Sequence, residues 1–149
     1  MLFRSVRLWT DEIEKDGEDT DAIVMDTARK LNVPLDEKQI GRSHRVGRRV
    51  PGKPRAIIVK FTSYNMRRKF YQARKRTTGS GVFISEDLTK RRSNIMYIAR
   101  GLKRDNLIHS CWTTDGRMYV RERNPLGANA DQGPVVQIMD KTDLDVYMR

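Results

Sequence analysis

Apolar and polar residues alternate with two different periods along this chain, and the points where the period changes mark its elements. Residues 2–9 (LFRSVRLW) alternate loosely and predict a first strand. After an acidic turn around Gly17, Ile23, Thr27 and Leu31 share one helical stripe beside Val24 and Ala28. That spacing predicts a helix over 21–32, ending before Pro34. Residues 38–46 read as a second, polar strand and 47–54 as a Gly/Pro/Arg loop, followed by the clearest strand of the chain, Ala56 to Phe61. Ser63 is placed to cap a helix in which Met66, Phe70 and Ala73 repeat at helical spacing. Gly79 and Gly81 end it, and Val82-Phe83-Ile84 predict a fourth strand. The order β-α-β-β-α-β is the split βαβ plan, a four-stranded sheet with both helices on one face and the other face open.

A second pattern follows. Thr89 is placed to cap a helix whose stripe is Ile95, Ile98, Ala99 and Leu102. Residues 107–121 predict a hairpin around Asp115-Gly116, a pair suited to the left-handed conformations of a two-residue turn. Counting outward sets Thr114 opposite Arg117, Trp112 opposite Tyr119 and Ser110 opposite Arg121. Alternation puts Trp112, Arg117, Tyr119 and Arg121 on one face and Cys111, Met118 and Val120 on the other. Asn124 to Pro134 reads as loop, then a strand at 135–138 and a helix at 140–147. The chain is expected to be α+β, with a split βαβ domain at 1–87 and a small helix-plus-hairpin domain at 88–149.

Charge sharpens the picture because it is unevenly placed. Residues 1–40 carry a net of −4 and residues 105–149 a net of −2, whereas 41–104 hold 19 Lys/Arg against 2 Asp/Glu, a net of +17. A solubilising surface intersperses the two signs, so a field this one-sided points to a polyanion. Arg42, Arg45, Arg48, Arg49, Lys53 and Arg55 line the second strand and the loop after it, and Lys60 lies on the third strand. Arg67, Arg68, Arg74, Lys75 and Arg76 fall on the second helix, away from its apolar stripe. Lys90, Arg91 and Arg92 occupy the first turn of the third helix, where the helix dipole prefers acids, so a phosphate partner accounts for them better than local stability does. Arginine predominates, which suits bidentate contact with phosphate.

Other chemistries find no support. Gly47-Arg48-Arg49-Val50-Pro51-Gly52-Lys53 has the spacing of a phosphate-binding P-loop, but Pro54 stands where the magnesium-binding hydroxyl belongs and a strand follows, so it reads as a basic loop. His44, His109 and Cys111 are too few and scattered for a structural zinc site. The Glu86-Asp87 carboxylates point to opposite faces and are expected to offset Lys90, Arg91 and Arg92. No enzyme, cofactor or metal site is expected. The single Cys111 suits a reducing compartment, and no apolar run approaches the roughly 20 residues of a membrane span. An intracellular protein that does not insert into membranes is therefore expected, in cytoplasm or nucleus.

The third strand lacks the stacking aromatics of sequence-reading RNA-recognition domains: Ala56 and Ile58 stand in their places, and Phe61 reads as core. Binding through this sheet is expected to be electrostatic and weakly sequence-selective. Two roles fit Trp112, stacking on bases beside Tyr119 and its flanking arginines, or packing against the third helix.

The strings GRSHRVGRRVPGKPRAIIVKFTSY, ARKRTTGSGVFISEDLT and HSCWTTDGRMYVRE resemble the C-terminal region of baculovirus FP (few-polyhedra) proteins and of FP-like proteins of insect non-LTR retrotransposons. More distantly, PRAIIVKF followed by a basic helix and DLT is similar to the first open-reading-frame protein of LINE elements. The resemblance spans about residues 17–147. It implies a noncanonical RNA-recognition-like domain followed by a small C-terminal domain, both binding single-stranded RNA or DNA, with Arg55 and Lys60 as contacts. It also implies self-association through a coiled coil that precedes this region in longer relatives; none is legible here. The Gly-Pro-Glu that ends the family's first strand is replaced by Trp9-Thr10-Asp11-Glu12, as in a truncated or decayed element copy. The viral relatives imply a second role, a structural protein acting through protein partners.

Overall fold

Alternation organises the first sheet. In the computed structural model, which describes residues 4–124 and 133–149, the chain divides into two units, Met1–Asp87 and Leu88–Arg149. The first contains β1 (Ser5–Trp9), α1 (Thr20–Lys30), β2 (Ile40–Arg45), β3 (Ile57–Phe61), α2 (Tyr64–Gln72) and β4 (Phe83–Glu86). The strands form one antiparallel sheet in the order β2-β3-β1-β4. Val6, Leu8, Ile57, Val59, Phe61 and Ile84 face one side, where Val24 and Ala28 of α1 and Met66 and Phe70 of α2 close the core. Burial of each large apolar side chain contributes roughly 1.5–3 kcal/mol, so the register cannot slip by one residue without exposing the whole set. Leu2 and Phe3 of the expected first strand, and Pro125 and Gly127 of the expected loop, lie outside the described residues.

The helix starts follow local chemistry. The Asp19 carboxylate accepts from the Ala22 N–H at 3.2 Å, and the Ser63 hydroxyl accepts from the Met66 N–H at 3.2 Å. At the sheet edge the Thr20 hydroxyl donates to the Ser43 carbonyl at 3.1 Å, and the Ser43 hydroxyl bonds to Asp21, tying β2 to the first turn of α1.

Two expectations are corrected in this unit. Arg67 is not on the solvent face of α2: its side chain is 2% exposed, its guanidinium Nη2 donates to Glu86 Oε2 at 2.8 Å, and its Nε donates to the Ser5 carbonyl at 3.4 Å. Arg67 directly follows Met66 on the side of α2 that meets the sheet, and Glu86 alternates inward on β4 to receive it. Glu86 is thus corrected from a surface counter-charge to the buried partner of Arg67, and Asp87 accepts from Arg7 Nε at 3.2 Å. Arg74, Lys75 and Arg76 sit on a 3₁₀ turn, Ala73–Arg76, that continues α2.

The second unit contains α3 (Lys90–Arg104), β5 (Ser110–Thr114), β6 (Arg117–Arg121) and β7 (Val135–Ile138). Thr89 caps α3, accepting from the Arg92 N–H at 3.3 Å. The sheet order is β5-β6-β7, antiparallel throughout. The hairpin pairs Thr114 with Arg117, Trp112 with Tyr119 and Ser110 with Arg121. Asp115 and Gly116 both take left-handed backbone, with φ of 50° and 78°, which matches the right-handed twist of the flanking strands. Ile95, Met96, Ala99 and Leu102 of α3 pack with Ile108, Met118, Val120, Ile138 and Leu144; Met96 takes the central place expected for Ile98, which is half-buried at the margin. The expected terminal α-helix is a 3₁₀ turn, Lys141–Tyr147, opened by a capping box between Asp140 and Asp143. Its short length and β-branched Thr142 and Val146 weaken α-helical propagation.

Candidate nucleic-acid interface

The face of the first sheet opposite its helices is built by the residues that alternate away from the core: Ser5, Arg7 and Trp9 on β1, Arg42 and His44 on β2, Ile58 and Lys60 on β3, and Phe83 and Ser85 on β4. Register sets them in rows. Arg42 lies directly across from Lys60, and Lys60 from Ser5; His44 lies across from Ile58, and Ile58 from Arg7. Arg42, His44 and Lys60 are exposed. Like charges directly opposite each other in a sheet repel, so the Arg42/Lys60 pair costs stability that an anion on this face would recover. Beside the pair runs an open groove of about 640 Å³, lined in part by Arg4, Gly41, Arg42, His44 and Lys60. One acid, Asp87, stands at its side, engaged with Arg7.

At the other end of the face lies an aromatic pair that the strand-by-strand comparison with RNA-recognition domains overlooks. Trp9 pairs across strands with Phe83; their rings are 5.4 Å apart, tilted by 51°, and Phe83 is 57% exposed. The outer positions of β3 carry no aromatic ring, and the aromatics of this face stand instead at the end of β1 and the start of β4. The signal was present in the alternation, since Trp9 shares the parity of Arg7, and Phe83 is out of phase with core Ile84. Phe61 does lie in the core, its ring 5.3 Å from that of Phe70.

The basic loop between β2 and β3 meets the acidic stretch between β1 and α1, and several of its arginines are spoken for. Arg45 Nε donates to Glu18 Oε1 at 2.6 Å and its Nη1 to the Arg55 carbonyl at 2.6 Å, leaving its side chain 5% exposed. Arg55 donates through Nε to both Glu14 oxygens at 3.1 and 3.3 Å. That fork holds the Glu14 carboxyl well below its ordinary value, at about 2, with the Arg55 hydrogen bond as main cause; Arg45 likewise lowers Glu18. Arg49 donates to Asp16 at 2.7 Å and lies 3.6 Å from Glu14. Arg45 and Arg55 are therefore corrected from open phosphate contacts to internal partners of acids that lie 27 and 41 residues away in sequence. Arg48 and Lys53 remain exposed.

The helix cluster is separate from the sheet face, because α2 packs on the core side. Arg68, Lys75 and Arg76 are exposed there, and the Arg74 guanidinium lies 4.1 Å from the centre of the Tyr71 ring. Burial removes Arg67 from this set.

In the second unit Lys90 and Arg91 are exposed at the start of α3 and Arg92 is half-buried. Arg91 bonds to Asp140 at 3.3 Å. The hairpin face away from the core carries Trp112 stacked on Tyr119, with ring centres 5.8 Å apart and planes within 21°, and the Arg121 guanidinium is 5.9 Å from the Trp112 ring. Arg121 also donates to the Gly133 carbonyl at 2.9 Å. Arg117 is exposed at the end of this face. Trp112 is half-buried by these neighbours and is not part of the core under α3. Cys111, on the inner side, has its thiol pushed up by burial, the reverse of an activated nucleophile.

Among the described residues no group of His, Cys, Asp and Glu gathers as metal donors, and no helix is long and apolar enough to cross a membrane. The chain matches no known family model and no curated protein sequence.

Proposed function

We propose that this chain binds single-stranded RNA or DNA, chiefly through phosphate, with the open face of the first sheet as the principal surface. The observation that carries the reading is Arg42 set directly across from Lys60 on an exposed face that ends in the Trp9/Phe83 pair. Phosphates relieve the repulsion of the first pair, and unstacked bases find π surface at the second. A duplex keeps its bases paired and offers nothing to those rings, which is why the single strand is the favoured ligand. The strand order β2-β3-β1-β4 within a β-α-β-β-α-β chain supports an RNA-recognition-like reading of the first unit. The Trp112/Tyr119 stack with Arg117 and Arg121 supports a second, smaller contact surface on the hairpin. Binding rather than catalysis, inside the cell and in a nucleoprotein of the retroelement type, completes the proposal.

The test is a filter-binding titration of the full chain against single- and double-stranded RNA and DNA over a range of salt. Single strands should bind more tightly, with log affinity falling about 0.7 per log unit of salt for each phosphate neutralised. Negligible oligonucleotide binding would refute the proposal and leave the role of a structural protein acting through protein partners.

A further inference from the structure

Among the described residues four acid–arginine contacts join the β1–α1 stretch to the end of β2 and the loop after it, and they differ in how firmly they are made; the longest, Arg49 to Glu14, spans 3.6 Å. Arg45 with Glu18 is almost fully covered, and Arg55 with Glu14 is half-covered and forked. The Arg49–Asp16 contact is open to water, with side-chain exposures of 55% and 88%. Ion pairs in so open a setting are worth little and dissolve readily in salt or before a better anion. Arg49 shares its loop with Arg48 and Lys53, both exposed, and Arg49, Lys53 and Glu14 line one groove of about 310 Å³. Arg48, Arg49 and Lys53 thus all face solvent, and Arg49 is engaged closely by Asp16 and more distantly by Glu14, which is itself forked to Arg55.

We propose that Asp16 stands in for a phosphodiester on Arg49 in the unliganded protein, and that a bound single strand displaces it. This rests on the nucleic-acid reading above and adds the regulation of that site. The covered pairs, Arg45–Glu18 and Arg55–Glu14, keep the loop's shape while the exposed pair exchanges. Arg48, Arg49 and Lys53 then meet the backbone of the strand as it leaves the sheet beyond Trp9, where the acidic stretch also begins. The internal anion makes the loop discriminating: an isolated phosphate or a weakly held polyanion competes against Asp16 on nearly equal terms, whereas a strand already held by the sheet face presents its phosphate at high local concentration. Displacement also frees a carboxylate that takes up a cation, so this contact adds less to the salt dependence than an unopposed arginine does.

The full-length chain, its Asp16→Asn variant and a Glu37→Gln variant carry the test by fluorescence anisotropy with a labelled oligouridylate. Glu37 is an exposed acid on the turn before β2, so its variant reports the effect of one lost negative charge. Asp16→Asn should tighten binding by about 2–5-fold at low salt, the size of an exposed ion pair, and steepen the log–log salt slope by about 0.7. Glu37→Gln should do much less. The gain should vanish when Asp16→Asn is combined with Arg49→Ala. Equal gains from Asp16→Asn and Glu37→Gln, or a gain that survives Arg49→Ala, would overturn the displacement while leaving nucleic-acid binding intact. A parent chain that binds no oligonucleotide would overturn both.

Discussion

Removing the Arg67 guanidinium separates a structural arginine from a binding one. Its side chain and that of Glu86 are 2% and 0% exposed and meet at 2.8 Å. Taking one partner from such a pair strands the other charge in the core and costs about 3–5 kcal/mol. For a unit of this size each kcal/mol moves the melting temperature by about 4–8 °C. Arg67→Met, which keeps most of the apolar stem, should therefore lower the melting transition of the first unit by at least about 12 °C. Restoring neutrality with Arg67→Met/Glu86→Leu should recover most of that loss, because a well-packed apolar pair replaces a buried ion pair at little cost. Arg68→Ala, one residue along and exposed, should shift stability by under about 0.5 kcal/mol. Thermal melts followed by circular dichroism, with urea titrations to obtain free energies, distinguish these outcomes. An Arg67→Met chain that melts within about 3 °C of the parent, or a double variant no more stable than the single one, would refute the reasoning.

Three further outcomes follow from the surfaces. Arg42→Ala/Lys60→Ala should weaken single-strand binding for all sequences alike and reduce the salt slope by about 1.4, two phosphates' worth, while leaving stability equal or slightly raised in urea titrations. Trp112→Ala should lose about 1–3 kcal/mol of single-strand affinity in titrations with little change in melting; a loss of about 3–5 kcal/mol of folding stability instead would mark a core role. Because the Glu14 carboxyl is held at about 2 against an ordinary 4.5, its charged form favours the folded state: that contribution is complete above pH 4.5 and disappears as pH falls toward 2. Glu14→Gln should accordingly flatten the acid side of the stability profile between those values, and an unchanged profile would dissociate Glu14 from the loop.

What sequence reveals here tracks how far apart the interacting groups lie. The caps at Ser63 and Thr89 and the Asp115-Gly116 turn depend on neighbours a few residues away, so spacing alone identifies them. The turn in turn sets the hairpin register and places Trp112 beside Tyr119. Arg67 was misplaced because helical spacing describes an apolar stripe and says nothing of a carboxylate 19 residues away that makes burial of a charge affordable. Arg45 and Arg55 look identical in sequence to Arg48; only the return of the acidic stretch onto the loop distinguishes them. Trp9 and Phe83 are 74 residues apart and become a pair solely through the β1–β4 register. Lys60, by contrast, was legible from parity, because a lysine inside an apolar strand has only one face to occupy, whereas Arg42 stands two residues after core Ile40 and reaches the outer face only through the irregularity between them.

The hydrogen bond from Thr20 to the Ser43 carbonyl has a consequence for how copies of this chain behave together. β2 is an outermost strand of its sheet, and an outermost strand normally offers its free carbonyls and amides as a template for a neighbour's backbone. Here one of those carbonyls is already satisfied by the first turn of α1, and Arg42 sits alongside it. A second chain approaching edge-on would meet a capped acceptor and a desolvation cost at a cation, so the border resists fibrous growth and strand donation alike. Copies of this chain crowded together in concentrated solution then bring like edges close without stitching them into a continuous sheet.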